Sequence, residues 1–241
     1  MTALTLAAAE TRLILRNRTV LVTAAILPIG MAFLLSRSDV AVFAASPGSL
    51  AAVQLGMLLM FGVFMTSTMT LAARRQQRYL KRLRSSPAST ASIVAGLTGP
   101  LVLVVAVQGL LVLAYTAWET GTAPAHPELL VLAFATGAAA SVALGFLTAS
   151  FTKTPEAAQI TVLPGTLVFM AGIVMGLMRF EGAESVLAAA VPGAGPTELT
   201  RLAWDGGEYM AALEPLLLSV LAAAAAALLA ARLFRWAPRL T

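Results

Sequence analysis

The sequence predicts an all-α polytopic membrane protein: six transmembrane helices, an N-terminal interfacial amphipathic helix, two short external helices between spans five and six, and both termini cytoplasmic. Three observations carry this. Of the 241 residues, 59% are hydrophobic and 11% charged, at a mean hydropathy of +0.87, whereas a soluble globular chain carries about 25% charged residues. Six apolar stretches, 19–36, 48–73, 91–118, 128–151, 157–178 and 211–234, each approach or exceed the roughly 20 residues that a hydrocarbon core about 30 Å thick requires. None alternates strictly, as a barrel strand would, and the basic residues collect between alternate stretches.

The first element lies before the spans. In residues 2–18, Leu4, Ala7, Ala8, Thr11 and Leu15 share one helical face while Glu10, Arg12 and Arg16 point away from it, the pattern of a helix lying on a leaflet. The apolar run Val20–Leu35 is longer than a typical signal-peptide core and is expected to stay as the first span. Orientation follows from the resistance of positively charged loops to translocation. Arg12, Arg16 and Arg18 precede span one, Arg74, Arg75, Arg78, Lys81, Arg82 and Arg84 follow span two, Lys153 follows span four, and Arg232, Arg235 and Arg239 close span six. Only Arg37, Arg179 and Arg201 remain for the other side, where most of the acids fall. The net charge of +5 is therefore a topological signature and implies no nucleic-acid partner.

The densest basic segment is the loop 74–89, RRQQRYLKRLRSSPAS. Its periodicity places Leu80 and Leu83 on a small apolar face and Arg75, Arg78 and Arg82 on another, with Pro87 ending the helix. Membrane lipids are one partner for such a loop, since each Lys or Arg near anionic lipid contributes roughly 1 kcal/mol.

The interior excludes several classes of function. Cysteine is absent, and the one histidine, His126, has no second imidazole with which to build a metal site. Neither Lys81 nor Lys153 follows a glycine, so no phosphate-binding loop exists, and no catalytic residues or bound cofactor are expected. Away from their ends the spans lack Asp, Glu, Lys, Arg and His, which argues against proton coupling through the chain. Tyr115, Trp118, Trp204, Tyr209 and Trp236 fall at headgroup depth. Mid-membrane, the second and fifth spans offer Met57, Met60, Phe61, Phe64, Phe169 and Met170, flexible thioethers and rings suited to varied apolar ligands and read as a substrate path, with lipid-facing or interhelical packing the other role open to each. Pro28, Pro100 and Pro164-Gly165 mark irregularities, and Gly172 and Gly176 form a G-x-x-x-G that permits close helix approach, read as helix packing and as a candidate dimer interface. Segment 179–210 is too polar to cross and too apolar for a linker. Two short helices dipping into the outer leaflet are expected there, joined at Pro192-Gly193.

These elements resemble a known family. The loop Arg75–Ser89 is similar to the R-E-R-G-T-L-K-R-L-R-A-T-P-V-S segment of type-2 ABC exporter permeases, with Gln76 where the family has glutamate and Arg78 where it has glycine. Thr154-Pro155-Glu156-Ala157-Ala158 and the P-x-x-x-x-T-E-L-x-R-x-A-W pattern from Pro192 to Trp204 also match the family's style. The resemblance covers the whole chain and implies a single permease domain, 1–241. It implies an exporter of two permease chains, a homodimer, with two copies of an ABC ATPase subunit that bind the ATP and Mg, in a bacterial cytoplasmic membrane. The loop would then be the coupling segment that docks on the ATPase, through Arg75, Arg78, Leu80, Lys81, Arg82, Leu83 and Arg84. The apolar interior and family precedent point to a drug or antibiotic as cargo. A lipid or lipid-linked glycan is the alternative cargo, and a non-transporting six-span scaffold the alternative class.

Overall fold

The computed structural model describes residues 30, 33–34, 37, 45–77, 79–84, 89–178, 180 and 183–234. Every regular element among them is helical. In chain order these are α1 (Pro47–Gln76), α2 (Tyr79–Arg84), α3 (Thr90–Thr120), α4 (Pro127–Phe151), α5 (Pro155–Thr161), α6 (Leu163–Leu177), α7 (Ala183–Ala189), α8 (Ala194–Asp205) and α9 (Leu213–Leu233), the last preceded by a 3₁₀ turn, Tyr209–Ala212. Five helices among the described residues are long and apolar enough to cross a membrane: α1, α3, α4, Glu156–Leu177 and Tyr209–Leu233. They correspond to the second to sixth expected spans. The amphipathic helix 2–18 lies outside the described residues, as does span 19–36 apart from Gly30, Phe33 and Leu34, which are helical.

Local chemistry sets the ends. Ser46 caps α1 by accepting from the Ser49 amide, with Pro47 in the first turn. Ser89 caps α3 in the same way through Ser92, and Gly121, at φ 66°, ends it. Thr154 caps α5 by accepting from the Ala157 amide. The fifth span is broken where sequence marked Pro164. Helix α5 stops at Thr161 and α6 begins at Leu163, because a proline here cannot donate to the preceding turn. Between spans five and six the two expected short helices are present as α7 and α8, with Gly193 at φ 98° in the turn between them.

Helix α1 is the axis of the bundle. Helix α4 lies beside it in the same direction, with Gly137 against Leu59 and Gly145 against Ser67. Helices α3 and α6 run the opposite way, since Thr116 of α3 meets Gln54 and Val105 meets Gly62, while Phe169 of α6 meets Phe64 and Ile173 meets Gly56. Helix α9 follows α4 on its far side, from Tyr209 at Glu128 to Phe234 at Phe146. Helix α8 sits among α1, α4 and α6. The core joins Val53, Leu59, Met60, Val63 and Phe64 of α1 to Val105, Val112, Phe169 and Ile173.

Polar contacts then gather at two ends. At one, Arg37 pairs with Glu119 at 3.3 Å, the Trp204 indole donates to Thr122 Oγ1 at 2.9 Å, and Tyr209 donates to Glu128 at 2.6 Å. At the other are α2, Arg75, Thr152 and Thr161. Charge sorting had assigned these two groups to opposite faces of the membrane.

Candidate functional site

At the basic end, α1 ends at Gln76 and α2 begins at Tyr79. Arg75 is 2% exposed. Its Nη2 donates to the Thr152 carbonyl just past the end of α4, and its guanidinium lies 5.9 Å from the Phe234 ring centroid. Thr152 Oγ1 is 2.7 Å from Thr161 Oγ1 of α5, and Phe234 meets Phe146 edge-on at 5.2 Å. One buried cation thus ties the end of α1 to the residues that close α4 and α9, and through Thr152 to α5, at a place where a helix C-terminus leaves carbonyls open and attracts positive charge. Arg74, one residue earlier, lies 5.0 Å from the centre of the Tyr79 ring.

Leu80 and Leu83 correct the expectation built on them. Both are buried in this chain's own cluster with Leu71, Ile93, Leu97, Phe146, Ala149, Ala230 and Phe234, so they offer no free apolar face. The reason is size. Helix α2 has six residues, too few to be stable alone, and burying two leucines at about 1.5–3 kcal/mol each is what holds it. Arg78 lies outside the described residues, and of Lys81, Arg82 and Arg84 the helical backbone alone is described.

The expected substrate path does not form one lining within the chain. Met60, Phe64 and Phe169 are fully buried, Met57 is half-buried, and Phe61 and Met170 are 43% and 39% exposed. Phe64 and Phe169 stack at 6.5 Å, closing the space between α1 and α6. All of these except Met57, Phe169 and Met170 fall in Leu58–Met65, where α1 is wound as a π-helix.

The G-x-x-x-G face is also filled from within. A Cβ on Gly172 would run into the Pro192 carbonyl, and one on Gly176 would strike the Ala194 carbonyl and lie 2.8 Å from Thr197 Cβ. Close approach occurs, but to α8 of the same chain. The close packing expected of the motif is thus made inside the chain, and the turn before α8 occupies the face that the dimer reading would use.

Several contacts escaped the sequence. Asp205, at the end of α8, accepts from Ser46 Oγ at 2.6 Å and from the Gly48 amide at 2.9 Å, so its carboxylate closes the N-terminus of α1. Tyr209 also reaches His126 Nδ1 at 2.8 Å, joining the start of α4 to the start of α9. Half-buried Glu198 lies 4.0 Å from Arg201; burial raises its carboxyl pKa, opposed by the arginine and reinforced by Glu214. No group of three or more possible metal ligands occurs among the described residues. The signal for Asp205 is an acid closing α8, but nothing local names a partner 157 residues away.

A family model described as ABC-2 family transporter protein matches residues 21–232. Comparison with curated proteins and with solved structures gives no match. The match spans all five described membrane helices, the basic turn into α2 and the α7–α8 pair, and the chain belongs to the ABC-2 transporter family as a multi-pass membrane permease.

Proposed function

We propose that the chain is the membrane half of an ATP-driven exporter in a bacterial cytoplasmic membrane. It pairs with a second copy of itself and with two ATP-binding subunits, which bind ATP and Mg and carry out hydrolysis. Both termini and α2 face the cytoplasm. The cargo is a hydrophobic or amphipathic small molecule such as a drug or antibiotic, moved outward.

The observation that carries this reading is the attachment of α2. A short basic helix fixed by Leu80 and Leu83, and next to a buried arginine that reaches α4 and α9, can pass a push at the membrane surface into three long helices. With the leucines turned inward, contact with the ATP-binding subunit falls to the basic residues of the loop, Arg78, Lys81, Arg82 and Arg84, and Arg75 positions the helix from behind. The absence of ionisable residues from the middle of the apolar stretches supports an energy source outside the membrane.

The test is ATP hydrolysis by the complex purified through a tag on this chain and reconstituted in liposomes, with a panel of amphipathic drugs and of glycolipids. Stimulation by drugs is the expected result. Stimulation by glycolipids alone would move the cargo to a lipid or lipid-linked glycan, and the absence of any ATP-binding subunit would leave a membrane scaffold.

A further inference from the structure

A π-helix of eight residues is unusual, since most occur as single-turn bulges and those often mark functional positions. Here Leu58–Met65 is wound this way in the middle of the most enclosed span. Of the hydroxyls that follow it, that of Thr66 fits this winding, while those of Ser67 and Thr68 make ordinary α-helical bonds. Thr66 Oγ1 donates to the Phe61 carbonyl, five residues back, at 3.0 Å, and Ser67 and Thr68 both donate to the Phe64 carbonyl at 2.9 and 3.0 Å. In an α-helix a threonine hydroxyl bonds three or four residues back, so the Thr66–Phe61 bond belongs to the π form.

The surroundings pack closely through glycines. Gly62 faces Val105, Gly145 faces Ser67, and Gly165 faces Phe64, where a Cβ would lie 2.6 Å from the ring. At each of these three contacts one side is a glycine, Gly62 within the segment and Gly145 and Gly165 on its neighbours, so no side chain interlocks from that side. In this winding both ends of α1 are held, by Asp205 at Ser46 and Gly48 and by Arg75 at Thr152, and a turn of the α2-bearing half has to release the Arg75 bond.

We infer that Leu58–Met65 is a winding switch: its conversion from π to α turns the α2-bearing half of α1 against the outer half and separates Phe64 from Phe169. The turn is on the order of one residue's angular step, roughly 100° at 3.6 residues per turn. Hydrogen bonds exchange between neighbouring acceptors during the change, so the two forms can lie close in energy. That the switch is driven through α2 rests on the exporter reading; the existence of two windings does not.

The sequence contains no cysteine, so introduced pairs report without background. Phe64→Cys with Phe169→Cys, and separately Gly62→Cys with Val105→Cys, are treated with a short bifunctional thiol reagent, in the chain alone and in the complex. In the chain alone, Thr66→Val is expected to lower cross-linking of both pairs, since losing one hydrogen bond cuts the ratio of π to α about two- to tenfold, while Thr66→Ser keeps it. In the complex, trapping with ATP and vanadate is expected to lower it with Thr66 intact. Equal cross-linking of both pairs in Thr66, Thr66→Ser and Thr66→Val chains overturns the switch. If no ATP-binding subunit copurifies, the exporter reading fails while the chain-alone comparison still decides the switch.

Discussion

Helices α1 and α9 are similar in hydropathy, 1.8 and 2.2 over their most apolar windows, yet 78% of that window is buried in the first and 22% in the second. The difference lies in what accompanies the apolar residues. Helix α1 carries Gly56, Gly62, Ser49, Gln54, Ser67 and Thr68, which allow close approach or bond across to neighbours, as Gln54 does when it accepts from Thr116 Oγ1 at 2.6 Å. Helix α9 turns Leu217, Val220, Leu221, Leu228 and Leu229 outward. In a membrane, lipid is as apolar as leucine, so small and polar residues rather than hydropathy decide which helix is enclosed.

Substitutions can break or sharpen this contrast, read as unfolding free energy in mixed micelles. Arg75→Ala should cost most, about 3 kcal/mol, because it leaves the Thr152 carbonyl without its guanidinium donor and removes a fully packed side chain. Gly145→Ala should follow at about 2 kcal/mol, the usual cost of overpacking, since its Cβ would collide with Ser67 Oγ. Asp205→Ala should cost about 1 kcal/mol, the worth of a helix cap. Leu217→Ala, 60% exposed on α9, should change stability by less than about 0.5 kcal/mol. A larger loss at Leu217 than at Asp205 would mean that α9 packs against a protein surface, and the proposed second copy would be the first candidate.

The spans were legible because length and hydropathy are local. Five of the six expected stretches match described helices within a few residues, and the break at Pro164 and the turn at Pro192-Gly193 were marked by the residues that cause them. Direction was harder to read at the level of side chains. Leu80 and Leu83 were recognised as one apolar face, but a two-residue face does not say whether it meets a partner or its own chain, and Leu71, Phe146 and Phe234 answer that from three other helices. The glycines at 172 and 176 likewise announce close packing without naming the neighbour, which proved to be Pro192 and Ala194. The π winding of Leu58–Met65 left no periodic trace, because nearly every residue there is apolar.

The most direct test of the coupling role is retention of the ATP-binding subunit on tagged chain carrying Arg78→Glu, Lys81→Glu and Arg82→Glu together. Leu80, Leu83 and Arg75 remain in place, so the fold of α2 is kept, which an unchanged melting temperature checks. Loss of the subunit to background with the permease still folded is the predicted result. Retention at the unmodified level would contradict the assignment of α2 as the point where energy enters.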